Sequence, residues 1–259
     1  MIIGAVIELC GVSRAYETGD GVIHALRDVD LAFGRGEFVA IVGPPGSGKS
    51  TLLNILGAIE APTEGTLRID GEEVTPASAA RLATYRRHTV AHIFQESSLF
   101  PSLSVLENVR LGAEVAGRPE ADGIARTVLA DVGLADRTTQ FPARLSEAER
   151  QQVAIARAIA SGNPVVLADE PTRSLDRPIG LEMLDLFHRQ VTVADRAVVL
   201  ATQDRTLARL ADRVIELDDG AVRADARRVR TDRPGRPASE PPYTGRAADP
   251  ADDEGAHDG

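Results

Sequence analysis

Tryptophan is missing from this chain, and aromatic side chains of all kinds make up only 3% of its 259 residues. A core of that composition must be packed mainly from Ala, Val, Leu and Ile, which suits an α/β protein with buried parallel strands. Cysteine is nearly as scarce. Cys10 stands alone, which excludes an internal disulfide and agrees with a reducing compartment. No run approaches the ~18 apolar residues that a membrane-spanning helix needs. The apolar start from Met1 to Ile7 lacks a basic flank and runs into Glu8, so it reads as the lead-in to a first strand and not as a signal peptide. The chain accordingly reads as intracellular. Its net charge of −10 argues against a nucleic-acid polyanion as the main partner. The five histidines show no metal-ligand spacing.

The scarcest charged residue is lysine. Arginine supplies 28 of the 29 basic side chains, and the one lysine, Lys49, lies inside Gly43-Pro44-Pro45-Gly46-Ser47-Gly48-Lys49-Ser50. A compact ammonium on a thin stem stands where it can reach between phosphates. The segment matches the phosphate-binding loop pattern G-x-x-x-x-G-K-[ST] in its confirming context: Phe38 to Val42 reads as a buried strand before it, and Ser50 to Leu56 as the helix after it. Glycines let successive backbone N–H groups converge on phosphate oxygens, and the helix N-terminus adds positive potential. Lys49 is expected to pair with β- and γ-phosphates, and Ser50 to ligate Mg²⁺. Pro45 removes one amide donor but leaves those from Gly46 onward.

Along the chain, Val6 to Val12 and Val29 to Phe33 read as strands with a turn at Gly19-Asp20-Gly21, an antiparallel β lead-in to the loop. Thr66 to Asp70 is a further strand, Ala77 to Arg87 a helix, and Thr89 to Phe94 extended. Residues 97–144 carry helical segments around Val105 to Ala113 and Ile124 to Val132 and read as a helical insertion, which the helix from Ser146 to Ala160 extends to about 97–160. The apolar strand Val165 to Ala168 ends at Asp169-Glu170. A helix from Leu181 to Arg189, strands at Ala197 to Ala201 and Val214 to Leu217, and a short helix from Arg205 complete an alternation that favours a parallel sheet with helices on both faces. The expected domain is 1–224. From 225 to 259 the composition turns to Arg, Asp, Pro, Gly and Ala, the signature of a disordered tail.

Over residues 5–224 these features resemble the ATP-binding subunits of ABC transporters: a P-loop NTPase core with a mostly parallel sheet, an antiparallel β lead-in and a helical subdomain. The run Ser98 to Val109 resembles the subgroup serving lipoprotein-release, macrolide-export and FtsE-like permeases. The resemblance implies ATP and Mg²⁺ as ligands. It implies that Tyr16 stacks on adenine and that Gly43, Pro44, Pro45, Gly46, Ser47, Gly48, Lys49, Ser50 and Thr51 hold the phosphates. Gln95 matches the Q-loop glutamine, which with Ser50 and Asp169 touches Mg²⁺. Asp169 matches the Walker B aspartate, and Glu170 the catalytic glutamate that directs water at the γ-phosphate. Ser146 and Asp176 match the signature serine and the D-loop aspartate.

Three stretches depart from the family pattern. Where the signature has Leu-Ser-Gly-Gly, this chain has Leu145-Ser146-Glu147-Ala148-Glu149, so both glycines are gone. Ser146 and Glu149 still form an S-x-x-E capping box, so a normal helix start is expected. A carboxylate at 147 would sit where the family receives the γ-phosphate of a second subunit, at a cost of about 4 kcal/mol for charges ~4 Å apart at an effective dielectric near 20. Gln203 stands in place of the switch histidine; it can donate a hydrogen bond but cannot carry a proton or positive charge. Arg173 replaces a small residue before the D-loop. Weakened catalysis, with Glu170, Lys49 and Gln203 as the catalytic set, is therefore expected.

The implied partners are an integral-membrane permease subunit and a second ATP-binding subunit, in a homodimer or in a heterodimer with a paralogue. No nucleic acid is expected, and the location implied is cytoplasmic, peripheral on the inner face of the membrane. The alternative is a regulatory subunit that senses nucleotide without hydrolysis, or the degenerate half of a heterodimer.

Overall fold

The structure, a computed structural model, is described for residues 5–19, 21–75 and 78–227. Two sheets organise it. The first is antiparallel, in the order β2-β1-β4-β5, from β1 (Ala5–Thr18), β2 (Gly21–Gly34), β4 (Glu64–Ile69) and the short β5 (Glu72–Glu73). The second has the order β10-β9-β3-β8-β7-β6, from β3 (Phe38–Val42), β6 (Val90–Ile93), β7 (Val165–Asp169), β8 (Ala197–Thr202), β9 (Arg213–Asp218) and β10 (Ala221–Arg227). Its strands from β9 to β6 run parallel, and β10 closes one edge antiparallel. The helices are α1 (Lys49–Leu56), α2 (Ala79–His88), α3 (Val105–Val115), α4 (Ala121–Asp131), α5 (Glu147–Ala160), α6 (Arg177–Thr192) and α7 (Arg205–Ala208).

The core divides along the larger sheet because successive strand side chains point to opposite faces. Phe38, Ala40, Val42, Val166, Ala168, Val198 and Leu200 pack with apolar residues of α3, α4, α5 and α6. Val39, Ile41, Val165, Leu167, Val199 and Ala201 pack the other way, with α1 and the antiparallel sheet. Strands covered on both faces must be apolar throughout, which is why β3, β7 and most of β8 were legible as hydrophobic runs. Helix α1 lies between the two sheets and buries Leu52, Leu53, Ile55 and Leu56 completely, each contributing roughly 1.5–3 kcal/mol. Its last turn is held from α2, where Tyr85 Oη donates to the Leu56 carbonyl at 2.7 Å and Arg86 to the Ala58 carbonyl at 2.8 Å.

The expected α/β class, the antiparallel lead-in and the helical segments between β6 and β7 are all present. Several boundaries moved. Residues 225–227, assigned to the tail from sequence, belong to β10, whose Asp225 accepts from the buried Arg213 guanidinium at 2.6 Å; the rest of the tail lies outside the described residues. The lead-in sheet also recruits β4 and β5, which follow the loop in sequence, and helix α6 begins at Arg177, not near Leu181. Asp20 of the expected turn and Ala77 of the expected helix start lie outside the described residues.

Candidate nucleotide site

Three neighbouring parallel strands, β3, β8 and β7, end at one edge of the sheet, the usual place for ligands in open α/β folds. Their register pairs Val42 with Thr202, and Ala201 with Asp169. The chain leaving β3 forms the loop Gly43 to Gly48 and enters α1; the chain leaving β7 supplies Glu170. Residues as far as 160 positions apart thereby meet at the ends of three strands.

The loop conformation depends on two glycines. Gly48 has φ of 100°, and a Cβ there would lie 2.3 Å from the Ala25 carbonyl oxygen. A Cβ on Gly43 would lie 2.1 Å from the Leu217 carbonyl oxygen. The loop is thus pressed against β2 and β9, and the turn after β9 locks it: Gly220 N–H donates to the Ser47 carbonyl at 3.1 Å, and Arg27 N–H to the Gly220 carbonyl at 2.9 Å. Pro44, Pro45 and Gly46 form its exposed crown.

Lys49 is buried and its ammonium donates to the carbonyls of Gly43 at 2.9 Å and Pro44 at 3.0 Å. Burial pulls its pKa below the ordinary lysine value, against the opposing pull of Glu170 and Asp169. Asp169 and Glu170 are both about nine-tenths buried. Burial raises both carboxyl pKa values, and the Ser50 hydroxyl bonded to Asp169 and the Thr202 hydroxyl bonded to Glu170 partly counter it. One oxygen of each carboxylate, Asp169 Oδ1 and Glu170 Oε1, is buried without a hydrogen-bond partner, as is Ser47 Oγ. Unpaired buried polar atoms are costly, so their concentration beside a glycine loop marks groups whose partners come from a ligand. The Ser50 hydroxyl and the free Asp169 oxygen form a pair of hard oxygen donors that fits Mg²⁺, which binds through one or two protein oxygens completed by phosphates and water. Among the described residues there is no cluster of three metal-ligating His, Cys, Asp or Glu side chains, so no all-protein cage competes with this arrangement.

The remaining predicted residues take other places. The Tyr16 hydroxyl donates to Glu60 at 2.5 Å, Glu60 accepts from Asn54 of α1 at 2.7 Å, and the Arg14 guanidinium lies 4.6 Å from the Tyr16 ring centre. Thr51 is half-buried in the first turn of α1, and Gln95 is exposed just after β6. Gln203 exposes its side chain, while its backbone N–H bonds Glu170. Ser146 caps α5 by accepting from Glu149 N–H at 3.1 Å, with Glu149 returning the bond to Ser146 N–H at 2.8 Å. Asp176 caps α6, accepting from Ile179 N–H at 3.0 Å. Sequence reasoning missed Thr202 and Glu60, which carry no motif signal; only the strand register and the fold place them against Glu170 and Tyr16.

A family model described as ABC transporter matches residues 26–173, more than half of the chain. The chain belongs to the ABC transporter family. This cassette is 41% identical over 236 residues to the macrolide export ATP-binding/permease protein MacB of Agrobacterium fabrum, covering 90% of this chain and 36% of that one. It is 44% identical over 238 residues to the macrolide export ATP-binding/permease protein MacB 1/2 of Paracoccus denitrificans, with 91% and 34% covered. The cassette therefore spans about a third of the length of these curated relatives. Among solved structures, the dimeric bacterial ABC transporter cassette MJ0796 aligns with a TM-score of 0.82 at 37% identity, covering 85% of this chain and 98% of that one. A dimeric post-hydrolysis state of MJ0796 bound to ADP and Pi aligns at 0.80 with 36% identity and the same coverage. Fold, subgroup and ATPase class agree with the sequence reading.

Proposed function

We propose that this chain is the motor subunit of an export system of the MacB kind, hydrolysing Mg-ATP as one half of a face-to-face dimer beneath a membrane permease. The observation that carries the reading is the buried set of Lys49, Asp169 and Glu170 beside the exposed Ser50, with carboxylate oxygens left without protein partners. The permease, the exported class of compound and the cytoplasmic, membrane-peripheral location come from what the relatives' names imply. Among the described residues no helix is long and apolar enough to cross a membrane, so a spanning partner fits.

In this reading the Lys49 ammonium exchanges its two loop carbonyls for phosphate oxygens, while the amides from Gly46 to Thr51 cradle the phosphates. Ser50 and Asp169, with help from Gln95, would hold Mg²⁺, which would supply positive charge to the phosphoryl oxygens. Glu170 orients a water and takes its proton as the water oxygen bonds to the γ-phosphorus. The bond from that phosphorus to the β-γ bridging oxygen breaks, giving ADP and inorganic phosphate. Tyr16 supports the adenine, and Gln203 donates to the γ-phosphate.

Catalysis is weakened at two points. Glu147 brings a negative charge to the helix end that serves the opposite site of the dimer, and Gln203 cannot supply positive charge; one lost transition-state contact typically costs ~10²–10³ in rate. Pairing with a paralogue that keeps the two glycines preserves more chemistry at the site on this chain, which is why the heterodimer remains beside the homodimer. Steady-state ATP turnover by wild type and Glu170→Gln tests the reading. A measurable wild-type rate reduced at least ~100-fold in the variant is expected; equal rates would leave a nucleotide-sensing subunit without hydrolysis.

A further inference from the structure

Glu170 is held in an unusual way. Its backbone is left-handed, with φ of 45°, and its N–H donates to the Ala201 carbonyl at 2.9 Å. The Arg173 N–H donates to its carbonyl at 3.1 Å, and Pro171 fixes the next residue. A non-glycine residue in this region is strained and persists only where its surroundings hold it. Those surroundings are the end of β8, which touches Glu170 through successive residues: Ala201 by its carbonyl, Thr202 by its hydroxyl and Gln203 by its backbone N–H.

Thr202 decides how the carboxylate is presented. Its side chain is buried, and its Oγ1 lies 3.2 Å from Glu170 Oε2. The Asp204 N–H donates into the same hydroxyl oxygen at 3.1 Å, so the hydroxyl proton is left to point at Glu170. A hydroxyl is both donor and acceptor, and an incoming N–H fixes which role it plays toward its other neighbour. With Oε2 occupied in this way, Oε1 is the oxygen without a protein donor. Asp204 is itself anchored, because its carboxylate caps α7 by accepting from Thr206 N–H at 2.7 Å.

Resting on the reading of Glu170 as the residue that directs water, we infer that Thr202 is a positioning residue for hydrolysis: its hydroxyl holds Oε2 and turns Oε1 toward the water. Residue 203 contributes to this clamp only through a backbone N–H, which any amino acid but proline supplies. The replacement of the switch histidine by Gln203 therefore leaves the presentation of Glu170 intact.

The test is steady-state kinetics and equilibrium Mg-ATP binding of full-length Thr202→Val and Thr202→Ser beside wild type and Glu170→Gln. Valine keeps the shape and removes the hydroxyl. Misplacing a catalytic group by about an ångström costs up to ~10²-fold. Thr202→Val is expected to lower kcat roughly 10- to 100-fold with KM and ATP affinity within about twofold, and Thr202→Ser to restore kcat to within about threefold. If the valine variant does not fold, Thr202→Ala replaces it, with the same expectation. Wild-type kcat in Thr202→Val, or a loss of kcat that serine does not rescue, overturns the inference. Wild-type turnover in Glu170→Gln instead overturns the reading of Glu170 on which it rests, so the two failures are distinguishable.

Discussion

Helix α1 begins at Gly48, a left-handed residue whose backbone alone forms the cap, and its first turn carries no acidic side chain. Helix α5 begins at Ser146 with a complete capping box to Glu149, and its first turn carries both Glu147 and Glu149. Both ends present amides and the positive pole of a helix dipole. In α5 the protein's own hydroxyl and carboxylates satisfy that end, and hydrogen bonds from Ser146 keep the Glu149 carboxyl below its ordinary pKa, hence ionised. Helix α3 starts with the same device, Ser104 and Glu107, where the role is structural. The start of α5 is thus built like an ordinary helix start, while that of α1 leaves its amides for an outside anion. In the dimer proposed above both ends would meet phosphate, one from each subunit. On the function proposed above, the α1 start keeps the chemistry of a binding site and the α5 start carries that of a stable helix.

The largest effect is expected at Gly48. Gly48→Ala sets a Cβ 2.3 Å from the Ala25 carbonyl in a left-handed backbone, so the loop must move away from β2. ATP affinity should fall at least ~100-fold by equilibrium binding; near wild-type affinity would mean that the loop shape is not what binds. Reopening α5 with Glu147→Gly and Ala148→Gly together should raise ATP turnover about tenfold, since it removes a charge worth about 4 kcal/mol at most beside the opposing phosphate. The same change should lower Tm by roughly 2–8 °C, because each glycine in a helix costs roughly 0.5–1 kcal/mol. Unchanged turnover in that variant would show that α5 does not reach a phosphate. The smallest effect belongs to Ser146→Ala, which removes the α5 cap for about 1 kcal/mol, a Tm loss of roughly 2–4 °C by thermal melting. It should leave ATP affinity of the isolated chain unchanged.

The same contrast explains what the sequence disclosed. Motifs that bind a common ligand through backbone geometry, such as Gly43 to Ser50, are contiguous and were legible with their flanking strand and helix. So were strands buried on both faces. The edge strand β10 was not: Ala-Val-Arg-Ala-Asp-Ala-Arg alternates like polar linker and earns its place through the Arg213 ion pair with Asp225 and its ladder to β9. The capping box of α5 was legible because its partners are three residues apart. Thr202 was not, because a threonine closing an apolar strand looks like any strand end, and its partner Glu170 is 32 positions away, brought near by the β7–β8 register.

The most direct measurement is calorimetric titration of Mg-ATP into the wild-type chain and into Lys49→Ala. Binding at one nucleotide per chain, lost in the variant, is expected if the open end of α1 and its ammonium form the nucleotide site. Undiminished affinity in Lys49→Ala would contradict that placement.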